Sequence, residues 1–199
     1  MNNEIMSKVY SSPFSSDYSS RSSENRFSLT NNMAKFLLNK DWEGLSILDY
    51  GCGPGNMFDW MNRNGVAYGK YYGYDVRKET IEHAKKIQSN NVIFSTEIPK
   101  EMYNVVFMLG TISYQYTNDV DRCKEEAISL ILNANSFSNE CFVFTLPKDS
   151  YKSISTKRMI RFSEREVFDI LTRMKIGKLV FDSDSFQHEM LIGCKKNGT

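Results

Sequence analysis

Along most of the chain, short apolar runs alternate with stretches whose apolar residues recur every three or four positions. The first kind predicts buried strands, and the second predicts helices packed against them. Residues 1 to about 26 follow neither pattern, since serine dominates there, with Tyr10, Phe14, Tyr18, Arg21 and Arg26 interspersed and no period that would build a core helix. From Phe27 onward, Leu29, Met33, Phe36 and Leu37 fall at helical spacing, with Ser28 or Thr30 available as a cap. Leu45 to Tyr50 reads as a buried parallel strand, Asn56 to about Asn64 as a helix carrying Met57, Phe58, Trp60 and Met61, and Lys70 to Tyr74 as the next strand. A polar helix from Lys78 to about Ser89 leads to strands at Val92 to Phe94 and Val105 to Leu109, then to an amphipathic helix over about Asp119 to Ala134. Cys141 to Thr145 is a further strand, and Ser163 with Glu166 forms a capping box that opens a helix to about Met174. Lys178 to Phe181 and Met190 to Cys194 follow as two strands with no helix between them. The alternation predicts an α/β fold around a mainly parallel sheet, closed by an antiparallel C-terminal hairpin.

Length limits how this pattern can be divided. The 199 residues fit one structural domain, with residues 1–44 as an arm and helix able to act as a lid and residues 45–199 as the sheet domain. No apolar run approaches the ~20 residues of a membrane helix, and the N-terminal stretch lacks the apolar core of a secretory signal. A soluble, cytoplasmic protein is therefore expected, as a monomer or homodimer. Lysine plus arginine, 25, nearly cancel aspartate plus glutamate, 24. That balance argues against a nucleic-acid partner, which usually demands a basic surface. The four cysteines, Cys52, Cys123, Cys141 and Cys194, are scattered with no nearby histidine, so neither a metal site nor a disulfide framework is indicated and buried free thiols are expected.

The candidate chemistry lies at the first strand-to-helix turn, Asp49-Tyr50-Gly51-Cys52-Gly53-Pro54-Gly55-Asn56. Open α/β sheets bind ligands at the carboxyl ends of their strands, and glycines there permit a sharp turn and a close ligand approach. Asn56 stands where a dinucleotide fingerprint requires its third glycine, and no phosphate loop with its lysine occurs anywhere. The second strand ends Tyr72-Gly73-Tyr74-Asp75-Val76, which places a carboxylate where ribose hydroxyls are held in such folds. Taken singly, Asp49 and Asp75 also suit local capping roles.

With those residues in view, the chain resembles the class I S-adenosylmethionine-dependent methyltransferases over about residues 45 to 195. The resemblance rests on Ile47 to Gly55, on Tyr72 to Val76 and on the order of elements. It implies a Rossmann-like, three-layer α/β/α sandwich on a seven-stranded sheet, with S-adenosyl-L-methionine as cofactor. It further implies that Asp49, Gly51, Cys52, Gly53 and Gly55 line the methionine end, that Asp75 holds the ribose, and that Val76 and Glu97 border the adenine. Leu109 and Gly110, at the end of the fourth strand, would border the sulfonium. Two departures stand out, namely Asn104 where aspartate is common and Phe137-Ser138-Asn139-Glu140 in place of a double-glycine turn.

Methyl transfer needs alignment more than side-chain chemistry. A hydroxyl acceptor needs a base within hydrogen-bond reach, for which Asp119 is the candidate, with Tyr114 able to orient the acceptor, although Asp119 fits better as a helix N-cap. His83 reads as a solvated helix residue and His188 as part of the last hairpin. Leu109-Gly110-Thr111-Ile112 replaces the motifs typical of nucleic-acid base methyltransferases. A small-molecule acceptor is therefore expected, with Tyr10, Tyr18, Arg21 and Arg26 as candidate acceptor contacts, arginine being suited to a carboxylate or phosphate. The competing readings are RNA or protein methylation, which would use a basic run of Lys148, Lys152, Lys157, Arg158 and Arg161, and a non-catalytic module of the same fold.

Overall fold

The computed structural model describes residues 20–113, 115–149, 159–174 and 176–197. Seven strands form one sheet: β1 (Ser46–Tyr50), β2 (Lys70–Tyr74), β3 (Val92–Ser95), β4 (Tyr103–Met108), β5 (Ser138–Pro147), β6 (Ile176–Asp182) and β7 (Glu189–Lys196). Their spatial order is β3-β2-β1-β4-β5-β7-β6. The first five are parallel to one another, and β7 lies antiparallel to both β5 and β6. The expected mostly parallel sheet with an antiparallel C-terminal hairpin is thus what the chain forms.

Strand periodicity of two divides the core into halves on opposite faces of the sheet. Ile47, Val105, Phe107, Cys141, Val143 and Leu191 face helices α1 (Ser20–Leu38), α2 (Asn56–Arg63) and α3 (Lys78–Ala84). Leu48, Val106, Met108, Phe142, Phe144 and Ile192 face α4 (Val120–Ser136) and α5 (Glu164–Thr172). Two helical layers around one sheet give the three-layer sandwich. The helix ends follow local chemistry. Asp119 caps α4 by accepting from the Arg122 amide at 3.0 Å, and Ser163 with Glu166 completes the capping box of α5. All four cysteines are buried and free, as expected.

Three local expectations need correction. Helix α1 already runs at Ser20, ahead of the anticipated start, and Thr30 is a fully buried mid-helix position instead of a cap. Its first turns lack apolar periodicity because the inward position there is Arg26, which is accommodated by an ion pair with Glu189. The presumed turn before the fifth strand is also different: Phe137 ends α4 and Ser138 already pairs with Tyr103, so β5 is ten residues long. Finally, helix α3 after β2 is short, ending at Ala84 and continuing as one tight turn over Lys85–Ile87. Asn104 meanwhile has a structural role, since its Oδ1 accepts from the Ser46 amide at 2.9 Å and its Nδ2 donates to Glu140 at 2.6 Å, tying β1, β4 and β5 together.

Candidate functional site

The carboxyl ends of β1, β2 and β4 converge on the glycine loop. The amides of Gly51 and Cys52 both donate to the Tyr74 carbonyl, at 2.7 and 2.9 Å, which pins the loop to the end of β2. Gly51, Gly53 and Gly55 all have positive φ, at 85°, 56° and 87°, so the turn uses glycine's access to the left-handed region three times in five residues. Their surroundings differ. A Cβ on Gly51 would run into the Thr111 side chain, and one on Gly55 would press on Ile87 and Phe94, whereas one on Gly53 would meet nothing within 4 Å. Gly53 therefore faces open space, and its missing side chain leaves room for a ligand instead of for neighbouring protein.

Asp75 reaches across this space. One carboxylate oxygen accepts from the Gly53 amide at 3.0 Å and the other from the Arg77 amide at 2.9 Å, with Arg77 Nε 3.5 Å away. Asp75 does not cap α3, whose N-cap is Arg77 with no side-chain cap bond; it ties the turn before that helix to the glycine loop. Each carboxylate oxygen has a further lone-pair direction with which to accept a hydroxyl. Val76 beside it is half-buried, and Glu97 is exposed past β3, where the Tyr72 hydroxyl donates to its backbone carbonyl at 3.0 Å.

Asp49, near the end of β1, is almost completely buried and receives a hydrogen bond of 2.7 Å from the Tyr71 hydroxyl. Burial pushes its carboxyl up to about 7, a rise that the Tyr71 bond counteracts and nearby Asp75 reinforces. Burial, with Asp49 and Asp75 close by, also raises the Cys52 thiol far above its ordinary range. Cys52 is therefore a neutral packing group of the loop, its Sγ 3.4 Å from the Gly53 carbonyl.

At the end of β4, Gly110 also has positive φ, its amide donates to Thr145 Oγ1 at 2.8 Å, and Arg26 Nη1 lies 3.5 Å from where its Cβ would be. Arg26 Nη2 in turn pairs with Glu189 at 3.0 Å, both side chains being largely buried. Arg26 is thus brought by α1 to Gly110 at the end of β4, and Leu109 packs partly buried against the core on this face of the sheet. Arg21 lies on the first turn of α1. Tyr10, Tyr18 and Tyr114 lie outside the described residues, as do Lys152, Lys157 and Arg158 of the basic run. Asp119 is spent on its cap, and His188 is exposed in the β6–β7 connection, where its carbonyl accepts from the Lys148 amide. Sequence reasoning missed Glu189 and Thr145, which look like an ordinary hairpin charge and a strand threonine until β5 and β7 pair beside β4.

Fold and site together define an α/β protein of the open, doubly wound kind, with a ligand loop at the end of β1 and a carboxylate at the end of β2. A family model described as a methyltransferase domain matches residues 23–118, the segment holding both features. That match spans just under half of the chain, and the fold around it is the Rossmann-like fold of S-adenosylmethionine-dependent methyltransferase structures. Among solved structures it is similar to magnesium protoporphyrin IX methyltransferase from Synechocystis PCC 6803, at 15% identity and a TM-score of 0.65 over 98% of this chain and 94% of that one. It is likewise similar to the plantazolicin methyltransferase BamL, at 13% identity and a TM-score of 0.70, covering 98% and 96% of the two chains. A third, an S-adenosylmethionine-dependent methyltransferase so described from Listeria monocytogenes, aligns with a TM-score of 0.51 at 14% identity, covering 85% and 99%. A sequence search of curated proteins finds no match. Among the described residues, no helix is long and apolar enough to cross a membrane.

Proposed function

We propose that this chain is an S-adenosylmethionine-dependent methyltransferase that delivers a methyl group to an oxygen or nitrogen of a small-molecule acceptor. The observation that carries the reading is the open space at Gly53, whose amide is held by the Asp75 carboxylate at the end of β2. In this reading Asp75 accepts the ribose hydroxyls, the backbone of Gly51, Cys52, Gly53 and Gly55 lets the methionyl end approach, and Asp49 offers an anion to its ammonium group. Val76 and Glu97 border the adenine, and Leu109 and Gly110 border the reacting end. When bound, the cofactor supplies a methyl group activated by a sulfonium. What remains for the protein is to align the acceptor and exclude water, which proximity and orientation can do without an obligatory acid or base.

The acceptor then lies between the end of β4 and the first turns of α1, where Arg26 is held by Glu189. In this reading Arg21 and the residues before it, including Tyr10 and Tyr18, serve as a lid, and Tyr114 orients the acceptor. Two of the structural neighbours are named as methyltransferases of magnesium protoporphyrin IX and of plantazolicin, the second in complex with a desmethyl analogue. The near-neutral charge of this chain fits a small acceptor better than a polyanion. Calorimetric titration with S-adenosylmethionine and S-adenosylhomocysteine tests the cofactor, with binding of both expected and absence of both ruling the reading out. Incubation of metabolite extracts with methyl-labelled cofactor then identifies the acceptor.

A further inference from the structure

Tyr71 is the largest fully buried side chain on the site side of β2, and it carries a polar group into an otherwise apolar layer. In the parallel register it stands opposite Ile47, two residues before Asp49. A phenol ring spans about the length of two strand residues, so its hydroxyl arrives at the Asp49 carboxylate, 2.7 Å from Oδ2. The register partner of Asp49 is Gly73, where a Cβ would collide with the Phe94 ring and come within 3.0 Å of Cys52 Sγ. The missing side chain lets Phe94 close over the pair. Tyr71 itself is locked by Phe58, with ring centroids 5.1 Å apart, and by Phe94, at 6.0 Å. A hydroxyl needed only for packing would have been better left off, because a buried polar group is stabilising only when bonded.

We propose that Tyr71 is a positioning residue of the cofactor site, its hydroxyl fixing the Asp49 carboxylate in the orientation and charge state that receive the ammonium group of the cofactor's methionyl end. The proposal rests on the cofactor reading given above. Asp49 is poised for such control because its surroundings favour the protonated acid, and the Tyr71 bond acts in the opposite sense. The other titratable groups that bear on it are Asp75, past the end of β2, and the Cys52 thiol. From β4 its register neighbour is the apolar Phe107, and α1 and α2 cover this face with Phe27, Met57 and Trp60. Farther along the same face, at β7, stands the Arg26–Glu189 pair. Tyr71 itself stays a neutral donor, since burial and the adjacent Asp49 raise its phenol well above the usual value.

The decisive measurement is the affinity for S-adenosylhomocysteine from pH 5.5 to 8.5 in the wild type, Tyr71→Phe and Asp49→Asn. For the wild type we expect affinity to fall below about pH 7, toward tenfold per pH unit. Tyr71→Phe should move that inflection upward by about one pH unit and weaken binding about fivefold at pH 7, approaching tenfold at pH 5.5, while Asp49→Asn should abolish the inflection. Should Tyr71→Phe fail to fold, 3-fluorotyrosine at position 71, a stronger donor of nearly the same shape, should move the inflection downward. A merely structural Tyr71 would weaken binding equally at every pH. That result, or an inflection that neither change moves, overturns the proposal. Absence of binding by the wild type at every pH is a separate outcome, which overturns the cofactor reading and this inference with it.

Discussion

At the scale of single residues, the two carboxylates of the site are held in opposite ways. Asp75 is surrounded by donors, the Gly53 and Arg77 amides and the Arg77 guanidinium. Replacing it with alanine should weaken S-adenosylhomocysteine binding by about 1–3 kcal/mol, the usual contribution of hydrogen bonds to a charged group, and titration calorimetry measures this directly. Asp49 has one donor and a buried setting that lifts its carboxyl from 3.8 to about 7. The folded state therefore holds that proton more tightly than the unfolded chain, and stability falls as pH rises from about 4 to about 7, then levels off. Asp49→Asn should consequently be more stable than the wild type at pH 8, by up to about 2–4 kcal/mol, with the gap closing at pH 4. Urea unfolding at the two pH values checks it. A carboxylate kept at such a disadvantage is what a binding site requires and a core does not. The position of Asp49 could be read from the strand run, but its protonation could not, because that depends first on burial in the folded core and then on Tyr71, distant by 22 residues in the chain.

At the scale of elements, the glycine loop separates conformational demand from ligand space. Gly51→Ala places an L side chain at φ 85° against Thr111, whose hydroxyl donates to the Tyr50 carbonyl, and should lower the melting temperature and disorder the loop. Gly53→Ala puts its Cβ into open space at a milder φ. It should lower the melting temperature less than Gly51→Ala does, by the left-handed backbone cost alone of about 1 kcal/mol, while reducing affinity for S-adenosylhomocysteine. Paired thermal and calorimetric measurements distinguish the two. Asp119→Ala should destabilise α4 by about 1 kcal/mol in denaturant unfolding, the common worth of an N-cap. The caps of α4 and α5, the glycine loop and the seven strands were legible because each is dictated by neighbours in sequence. The start of α1 was not. Its inward residues, Arg26, Thr30 and Asn31, are polar, and only partners on other elements make them buried: Glu189 for Arg26 and the Trp42 indole for Asn31.

At the scale of the whole molecule, α1 lies across β5 and β7, with Met33 and Leu37 pressed so closely on Gly193 that a Cβ there would not fit. The helix is thus part of the core layer, and the Arg26–Glu189 pair fastens its early turns to the ligand edge. Breaking a buried pair strands a charge, so Arg26→Ala should cost about 3–5 kcal/mol of unfolding stability, and a double change to apolar residues at 26 and 189 should recover most of it. If Arg26 serves the acceptor, that stable double variant will bind S-adenosylhomocysteine normally yet lose methyl transfer. By itself the sequence determined the α/β class, the antiparallel C-terminal hairpin, the glycine loop and Asp75, because hydrophobic period and turn chemistry are local properties of a chain. The tertiary structure alone decided that Tyr71 governs Asp49, that Asn104 joins three strands, and that Arg26, Glu189 and Thr145 meet beside Gly110. Those relations depend on strand register and on the packing of α1 over the sheet, which bring together residues that no local pattern connects.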